Sequence, residues 1–331
     1  MSAASSSLPA IACLGAGRMG RGIAVAFAYA GHSVAIIDFK AREADKFKAL
    51  EAEALGEIRK TFASMARFGL LTEADIETLV SRVTVVPEAG AGAALSSSAI
   101  VFEGVPEVLN QKREALARAS KLAGPSPIIA STTSTILVDD ISSAVEHPER
   151  FLNAHWLNPA YLVPLVEVSP GAKTDPAITA RVKELLEGIG KVPVVCAATP
   201  GYIVPRIQAM AMNEAARMVE EGVASPEDID KAIKYGFGFR FAVLGLLEFV
   251  DWGGGDILYY ASRYLTGALN NDRYSSPEIV GRNMAEGKIG LKTGEGFLNY
   301  EGLDVDAYRE GRLSAFVDLL KHFQLQKPPV L

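Results

Sequence analysis

The residues whose types and spacing could do chemistry fall in two places: a glycine-rich turn near the start of the chain, and a histidine and glutamate near its middle. The turn is LGAGRMGRG (14–22), which follows the apolar run AIACL (10–14) and opens a helical pattern from Arg21 to Ala30. There each glycine answers a steric demand: Gly15 makes the tight turn, Gly17 lets backbone N–H groups approach a pyrophosphate, and Gly20 lets helix and strand pack closely. Arg18 and Met19 complete the binding turn. Asp38 ends the next apolar run, where a carboxylate accepts hydrogen bonds from an adenosine ribose. Together they predict NAD as cofactor. Lys40 and Arg42 keep NADP as the lesser alternative, since basic residues at this position can meet a 2′-phosphate.

Of the four histidines, His32 precedes a strand, His147 precedes a proline and His322 lies in a polar C-terminal helix. His155 stands apart. The segment FLNAHWLNPAYLVPLVEV (151–168) reads as two strands with a proline-bounded connection, and His155 and Glu167 are equally far from Tyr161. If it doubles back as a hairpin, the two face each other. Oxidising an alcohol needs a base for the hydroxyl proton, and imidazole titrates in the useful range. A carboxylate on its other nitrogen would fix the tautomer and stabilise imidazolium. Taken alone, Glu167 also reads as an exposed residue on the polar face of an alternating strand. Ser134, in ASTTST (130–135), follows a strand at the carboxyl edge where open α/β sheets bind ligands. It reads equally well as a cap for a helix from Ile136.

Positioning these groups falls to an alternation of short β-rich runs (10–14, 33–37, 82–86, 99–102, 127–130 and 192–196) with helical segments. That alternation predicts a parallel sheet covered on both faces. A polar-rich helix over 41–68 and a shorter one capped by Thr72 predict a protruding helical pair. After Thr199-Pro200-Gly201 only helical periodicity remains, and Ser225-Pro226-Glu227-Asp228 reads as a helix start. The expected fold is an α/β N-terminal Rossmann doubly wound sheet followed by an all-helical C-terminal domain. Its expected division is a disordered tail (1–7), an NAD-binding domain (8–197) and a helical substrate and dimerisation domain (198–331).

At 331 residues, 49% hydrophobic and 22% charged, the chain is an ordinary globular enzyme in composition. The net charge of −6 carries no basic field for nucleic acid or anionic lipid. Residues 1–7 lack a signal-peptide pattern, and 241–250 is far short of the roughly 20 residues of a membrane helix. Cys13 and Cys196 each lie in an apolar run that reads as a buried strand, which suits a reducing compartment and no metal site. Cytoplasmic residence and no membrane partner are expected.

GAGRMGRGIA, FEGVPE (102–107), ASTTST, HWLNP (155–159), PLVEV, TPGYIVPR (199–206) and LKTGEGF (291–297) together resemble the L-3-hydroxyacyl-CoA dehydrogenase family, from residue 9 to about 300. The resemblance implies that His155 and Glu167 are the catalytic pair, and that Ser134 and Asn158 contact the reacting oxygen and the nicotinamide region. It implies further that Glu107, Lys112 and Lys292 assist cofactor binding, and that the helical domain forms a homodimer. The expected reaction is oxidation of a short L-3-hydroxyacyl-CoA to the 3-keto product.

The chain departs from the family where substrate is concerned. Pro205 replaces the asparagine of the family's GFIxNR motif and supplies neither side-chain amide nor backbone N–H. LGLLE (244–248) replaces GPFE, and GFGFRFAV (236–243) before it is similar to relatives acting on free polar acids, the gulonate, carnitine and pyridine-carboxylate alcohol dehydrogenases. Few candidates to hold a CoA nucleotide occur near 54–64 beyond Arg59, Lys60 and Ser64. Arg240 is positioned by type to clamp a substrate carboxylate, against a structural salt bridge as the alternative. A free hydroxy acid is therefore the second substrate reading. The third is a non-catalytic NAD-binding structural protein. A lysine-dependent 3-hydroxyisobutyrate or 6-phosphogluconate type lacks its Gly-rich helix here.

Overall fold

The computed structural model describes residues 8–330. The tail expected at 1–7 lies outside them. The described residues divide into two compact units, one ending at Ala211 and the other beginning at Met212.

The first unit is built on an eight-stranded sheet: β1 (Ile11–Leu14), β2 (Val34–Ile37), β3 (Val83–Val86), β4 (Ile100–Glu103), β5 (Ile128–Ser131), β6 (Phe151–Trp156), β7 (Leu165–Pro170) and β8 (Val192–Val195). Their order is β3-β2-β1-β4-β5-β6-β7-β8. Every neighbouring pair is parallel except β6 and β7, the hairpin. The order reverses at β1/β4, the switch point where such sheets bind ligands beyond their carboxyl ends.

Both faces are covered, so the central strands β1, β4 and β5 are apolar except for Glu103 and Ser131 at their carboxyl ends, and successive residues serve opposite faces. Ile11 and Cys13 enter one core cluster, and Ala12 and Leu14 the other. In the first cluster Phe102 meets Trp156 edge to face with centroids 5.6 Å apart, a geometry that contributes about 0.5–1.5 kcal/mol beyond burial.

Helix α1 (Arg18–Tyr29) buries Ile23, Ala24 and Phe27, residues three to four apart, on that face. The helical pair expected to protrude is docked instead. Helix α2 (Ala44–Arg67) buries Ala54, Ile58, Phe62 and Met65 in the same cluster, because these four apolar positions, three or four residues apart, fall on one stripe, with Phe47 and Leu55 packed beside them. Thr72 begins a short 3-10 turn (Glu73–Asp75), its N–H donating to Asp75 Oδ2 at 2.9 Å.

The second cysteine departs from expectation. Cys13 is buried, but Cys196 lies just past the edge strand β8 and is half-buried. β8 lies at the end of the strand order, and there Val192 and Val195 are exposed.

The second unit is helical, with its longest helices at Gly255–Leu269 and Val305–His322. Ser225 Oγ caps helix Pro226–Ala232 by accepting from Asp228 N–H. The triplet Gly253–Gly255 joins two helices, with Gly254 at φ +110°. Buried Asp251 accepts from the N–H groups of Phe297 and Leu298 and from Tyr300 Oη, and so anchors the loop that carries Lys292. Among the described residues no helix is long and apolar enough to cross a membrane.

Candidate functional site

At the switch point β1 runs into Gly15, whose φ of +94° suits only glycine. Gly17 is the N-cap of α1, and no side chain caps the helix, so its first N–H groups face outward. A Cβ added at Gly17 would meet no atom within 4 Å. The turn opens on a cavity of about 420 Å³, lined among others by Gly15, Gly17, Asp38 and Gly104. An uncapped N-terminus with no acidic residue in its first turn, beside a cavity with a carboxylate at its rim, fits a dinucleotide. Arg18 is exposed at the turn, while Met19 is partly buried against the core.

Asp38 is buried, and its carboxylate is paired with Arg42 Nε and accepts from Lys40 N–H at 3.3 Å. Of the two residues that kept NADP open, Arg42 is thus turned toward the aspartate, whereas Lys40 meets it only through its backbone N–H. Replacing Asp38 by alanine removes the ribose acceptor and frees Arg42. The NAD dissociation constant is expected to rise about 10- to 100-fold while NADP binding improves. Titration with both cofactors tests this, and unchanged NAD preference would count against it.

A second network lies under the loop that carries Ser134. Glu103, at the end of β4, is fully buried and accepts from Ser131 Oγ at 2.5 Å, Val105 N–H at 2.7 Å and Lys112 Nζ at 3.0 Å. Lys112 Nζ also donates to Val105 O and stands 3.3 Å from Glu107 Oε2. At 1% exposure Lys112 is a prop beneath the loop. Glu107 Oε1 in turn accepts from the N–H groups of Ser134 and Thr135, each at 3.0 Å, and from Thr133 Oγ1. Burial alone would raise the Glu107 carboxyl, but the Thr133 hydroxyl, Lys112 and Thr135 outweigh it and hold it below the usual carboxylate range. No helix begins at Ile136: the next one, Val138–Ser142, has no side-chain cap, so the capping role open to Ser134 falls away, and the Thr133 hydroxyl instead accepts from Ile136 N–H within the loop at 2.9 Å. The Ser134 side chain is exposed, without a hydrogen-bond partner among the described residues.

The hairpin sets His155 directly opposite Glu167. His155 Nδ1 donates to Glu167 Oε2 at 2.8 Å, and Nε2 has no partner among the described residues. Glu167 is 0% exposed, which rules out the polar-face reading. Its other oxygen accepts from Ile203 N–H at 2.9 Å and Val204 N–H at 2.8 Å, at the start of helix α3 (Val204–Glu220). Three donors and a helix N-terminus satisfy this buried carboxylate as an anion. The Tyr202 ring stacks on His155 with centroids 5.0 Å apart and planes 3° apart. Asn158, in the connection, is exposed. Cys196 stays a poor nucleophile, its thiol pushed up by burial and by the Glu167 charge.

Sequence reasoning missed Glu103, Asn153 and Tyr202. A glutamate ending the apolar run AIVF was the available signal for Glu103, and tyrosine in place of the phenylalanine of GFIxNR was the signal for Tyr202, whereas nothing local marked Asn153. Pro205 lies in the first turn of α3, where a missing N–H is harmless. In the second unit Lys292 is exposed, and Arg240 is exposed with its guanidinium 5.5 Å from the centre of the Phe249 ring. The alternative of a structural salt bridge at Arg240 finds no acidic partner among the described residues.

Residues 10–199 match the family model described as 3-hydroxyacyl-CoA dehydrogenase, NAD binding domain, and residues 201–300 match 3-hydroxyacyl-CoA dehydrogenase, C-terminal domain. The chain is 32% identical over 301 residues to the 5-formyl-3-hydroxy-2-methylpyridine 4-carboxylate 5-dehydrogenase of Mesorhizobium japonicum, covering 88% of this chain and 90% of that one. It is also 32% identical over 293 residues to the mitochondrial hydroxyacyl-coenzyme A dehydrogenase of Homo sapiens, covering 88% and 91%. A solved 3-hydroxyacyl-CoA dehydrogenase from Archaeoglobus fulgidus superposes with a TM-score of 0.76 at 32% identity, over 96% of this chain and 100% of that chain.

Proposed function

The chain belongs to the 3-hydroxyacyl-CoA dehydrogenase family, and from that premise we propose that this NAD-dependent enzyme oxidises a short L-3-hydroxyacyl-CoA through the His155–Glu167 pair. The observation that carries the reading is the buried pair with Nδ1 committed to Glu167 and Nε2 left available.

Bound NAD supplies the acceptor for the hydride leaving the alcohol carbon. His155 Nε2 takes the hydroxyl proton, and the imidazolium that forms is stabilised by the ionised Glu167. Ser134 and Asn158 hold the reacting oxygen and the nicotinamide region, with the Ser134 backbone steadied by Glu107. Lys112 acts through Glu103 and Glu107, and Lys292 adds a cofactor contact. The cofactor domain is assigned to 8–197 and the helical domain to 198–331. In support, the last strand ends at Val195 and helix α3 begins at Val204. The first compact unit extends to Ala211 and so includes the start of α3, where Val204 N–H donates to Glu167.

A homodimer through the helical domain is supported by its exposed apolar side chains, including Met212, Ile257, Tyr260 and Tyr264. Cytoplasmic residence fits the two unpaired cysteines.

Charge placement favours a second reading, a free hydroxy acid. Arg59 donates twice to Glu77, at 2.5 and 2.9 Å, and Lys60 pairs with Glu57 at 2.9 Å, so both bases near the expected CoA region already have partners. Arg240 has none, and Pro205 stands where the family has an amide. The Mesorhizobium relative is named for a pyridine carboxylate.

A panel of hydroxyacyl-CoAs and free hydroxy acids, followed at the nicotinamide absorbance, separates the two substrates. If the free acid is correct, Arg240→Ala raises its KM about 10-fold or more. An unchanged KM would remove Arg240 from the site.

A further inference from the structure

We infer that the Tyr202 hydroxyl is a positioning device that locks the His155 imidazole and the Ser134 loop into one register. The inference rests on the reading of His155 as the base.

GYIVPR (201–206) carries a tyrosine where the GFIxNR motif has phenylalanine. A phenylalanine could stack on His155 equally well. Only tyrosine can also reach the loop that carries Ser134.

Tyr202 is 6% exposed and sits at φ +43°, next to Gly201 at φ +78°. A bulky residue adopts this left-handed conformation only when its surroundings impose it. The surroundings are three. The ring lies flat on His155. The hydroxyl donates to Thr133 O at 2.9 Å, the carbonyl immediately before Ser134. The same oxygen accepts from Asn153 Nδ2 at 3.1 Å, and Asn153 Nδ2 donates also to Ile136 O at 3.0 Å, on the far side of the loop.

The next two residues grip Glu167 through Ile203 N–H and Val204 N–H. Residues 202–204 therefore touch the imidazole, its carboxylate and the backbone of the serine loop. Burial raises the phenol well above its usual range, so it remains protonated and a donor to Thr133 O throughout working pH. Removing the hydroxyl leaves the stack intact but frees Thr133 O, so the Ser134 loop loses its tie to the ring that lies against His155 and keeps its hold on Glu107.

The test compares Tyr202→Phe, Tyr202→Leu and His155→Ala with the unaltered enzyme. The assay uses L-3-hydroxybutyryl-CoA with NAD, or free 3-hydroxybutyrate where the thioester is inert. Tyr202→Phe is expected to lower kcat about 3- to 10-fold, with the KM for NAD and the melting temperature nearly unchanged. Tyr202→Leu, which also removes the stack, falls further. Unaltered kcat in Tyr202→Phe overturns the inference, as does a loss of kcat matched by an equal loss of NAD binding or thermal stability. If His155→Ala retains turnover, the base assignment fails. If His155→Ala is inactive while Tyr202→Phe is unaffected, only the role of the hydroxyl fails.

Discussion

Replacing His155 by alanine is expected to lower turnover by about 10²- to 10⁴-fold while the NAD dissociation constant stays within a factor of about two. The loss is large because the imidazole is the group with a free nitrogen in the buried pair, and Glu167 cannot substitute for it. That carboxylate is fully buried behind the imidazole, and the oxygen that does not face Nδ1 is held by two backbone N–H groups. NAD binding should persist because the glycine turn and Asp38 belong to the other half of the sheet, across β1 and β2. Steady-state kinetics with cofactor titration measures both quantities. Turnover near that of the unaltered enzyme would reject His155 as the base. Intact turnover would also weaken the reading of Glu167 as its partner.

The second large effect is expected at Gly20. A Cβ there would lie 2.2 Å from the carbonyl oxygen of Gly15, a backbone atom that cannot move aside as a flexible side-chain end can. Gly20→Ala must push α1 away from β1 or reshape the turn between them, and either change disturbs the N–H groups that face the cavity. Forcing one extra carbon into such a contact costs about 1–3 kcal/mol or more. NAD affinity should fall beyond detection at ordinary concentrations, with a lowered melting temperature. Gly17→Ala is the informative comparison, because its Cβ meets nothing within the protein, so it should fold normally and lose cofactor affinity only. Equal NAD affinity in Gly20→Ala and the unaltered protein would contradict the packing argument.

These expectations rest on features that were legible to different degrees before any fold was known. The glycine turn, Asp38 and the alternation of strands and helices are local patterns, with spacings set by strand length, helix period and turn geometry. The hairpin was legible for the same reason. A strand, a short proline-bounded connection and a second strand admit few registers, and the observed one sets His155 against Glu167. The edge position of β8 and the docking of α2 were not legible, since an apolar run or stripe does not say which neighbours it will meet.

By itself, then, the sequence determined the cofactor turn, its acidic partner and the pairing of histidine with glutamate, because each depends on residues close in the chain or joined by one tight connection. Tertiary structure alone decided what surrounds them. Glu167 is held from behind by Ile203 and Val204, 36 and 37 residues away. Tyr202 bonds to Thr133 across 69 residues. Lys112, which the family resemblance assigned to cofactor binding, proves to be buried on Glu103 beneath the serine loop. Contacts between segments so far apart follow from how the sheet and its helices close on one another, and no local spacing encodes that closure.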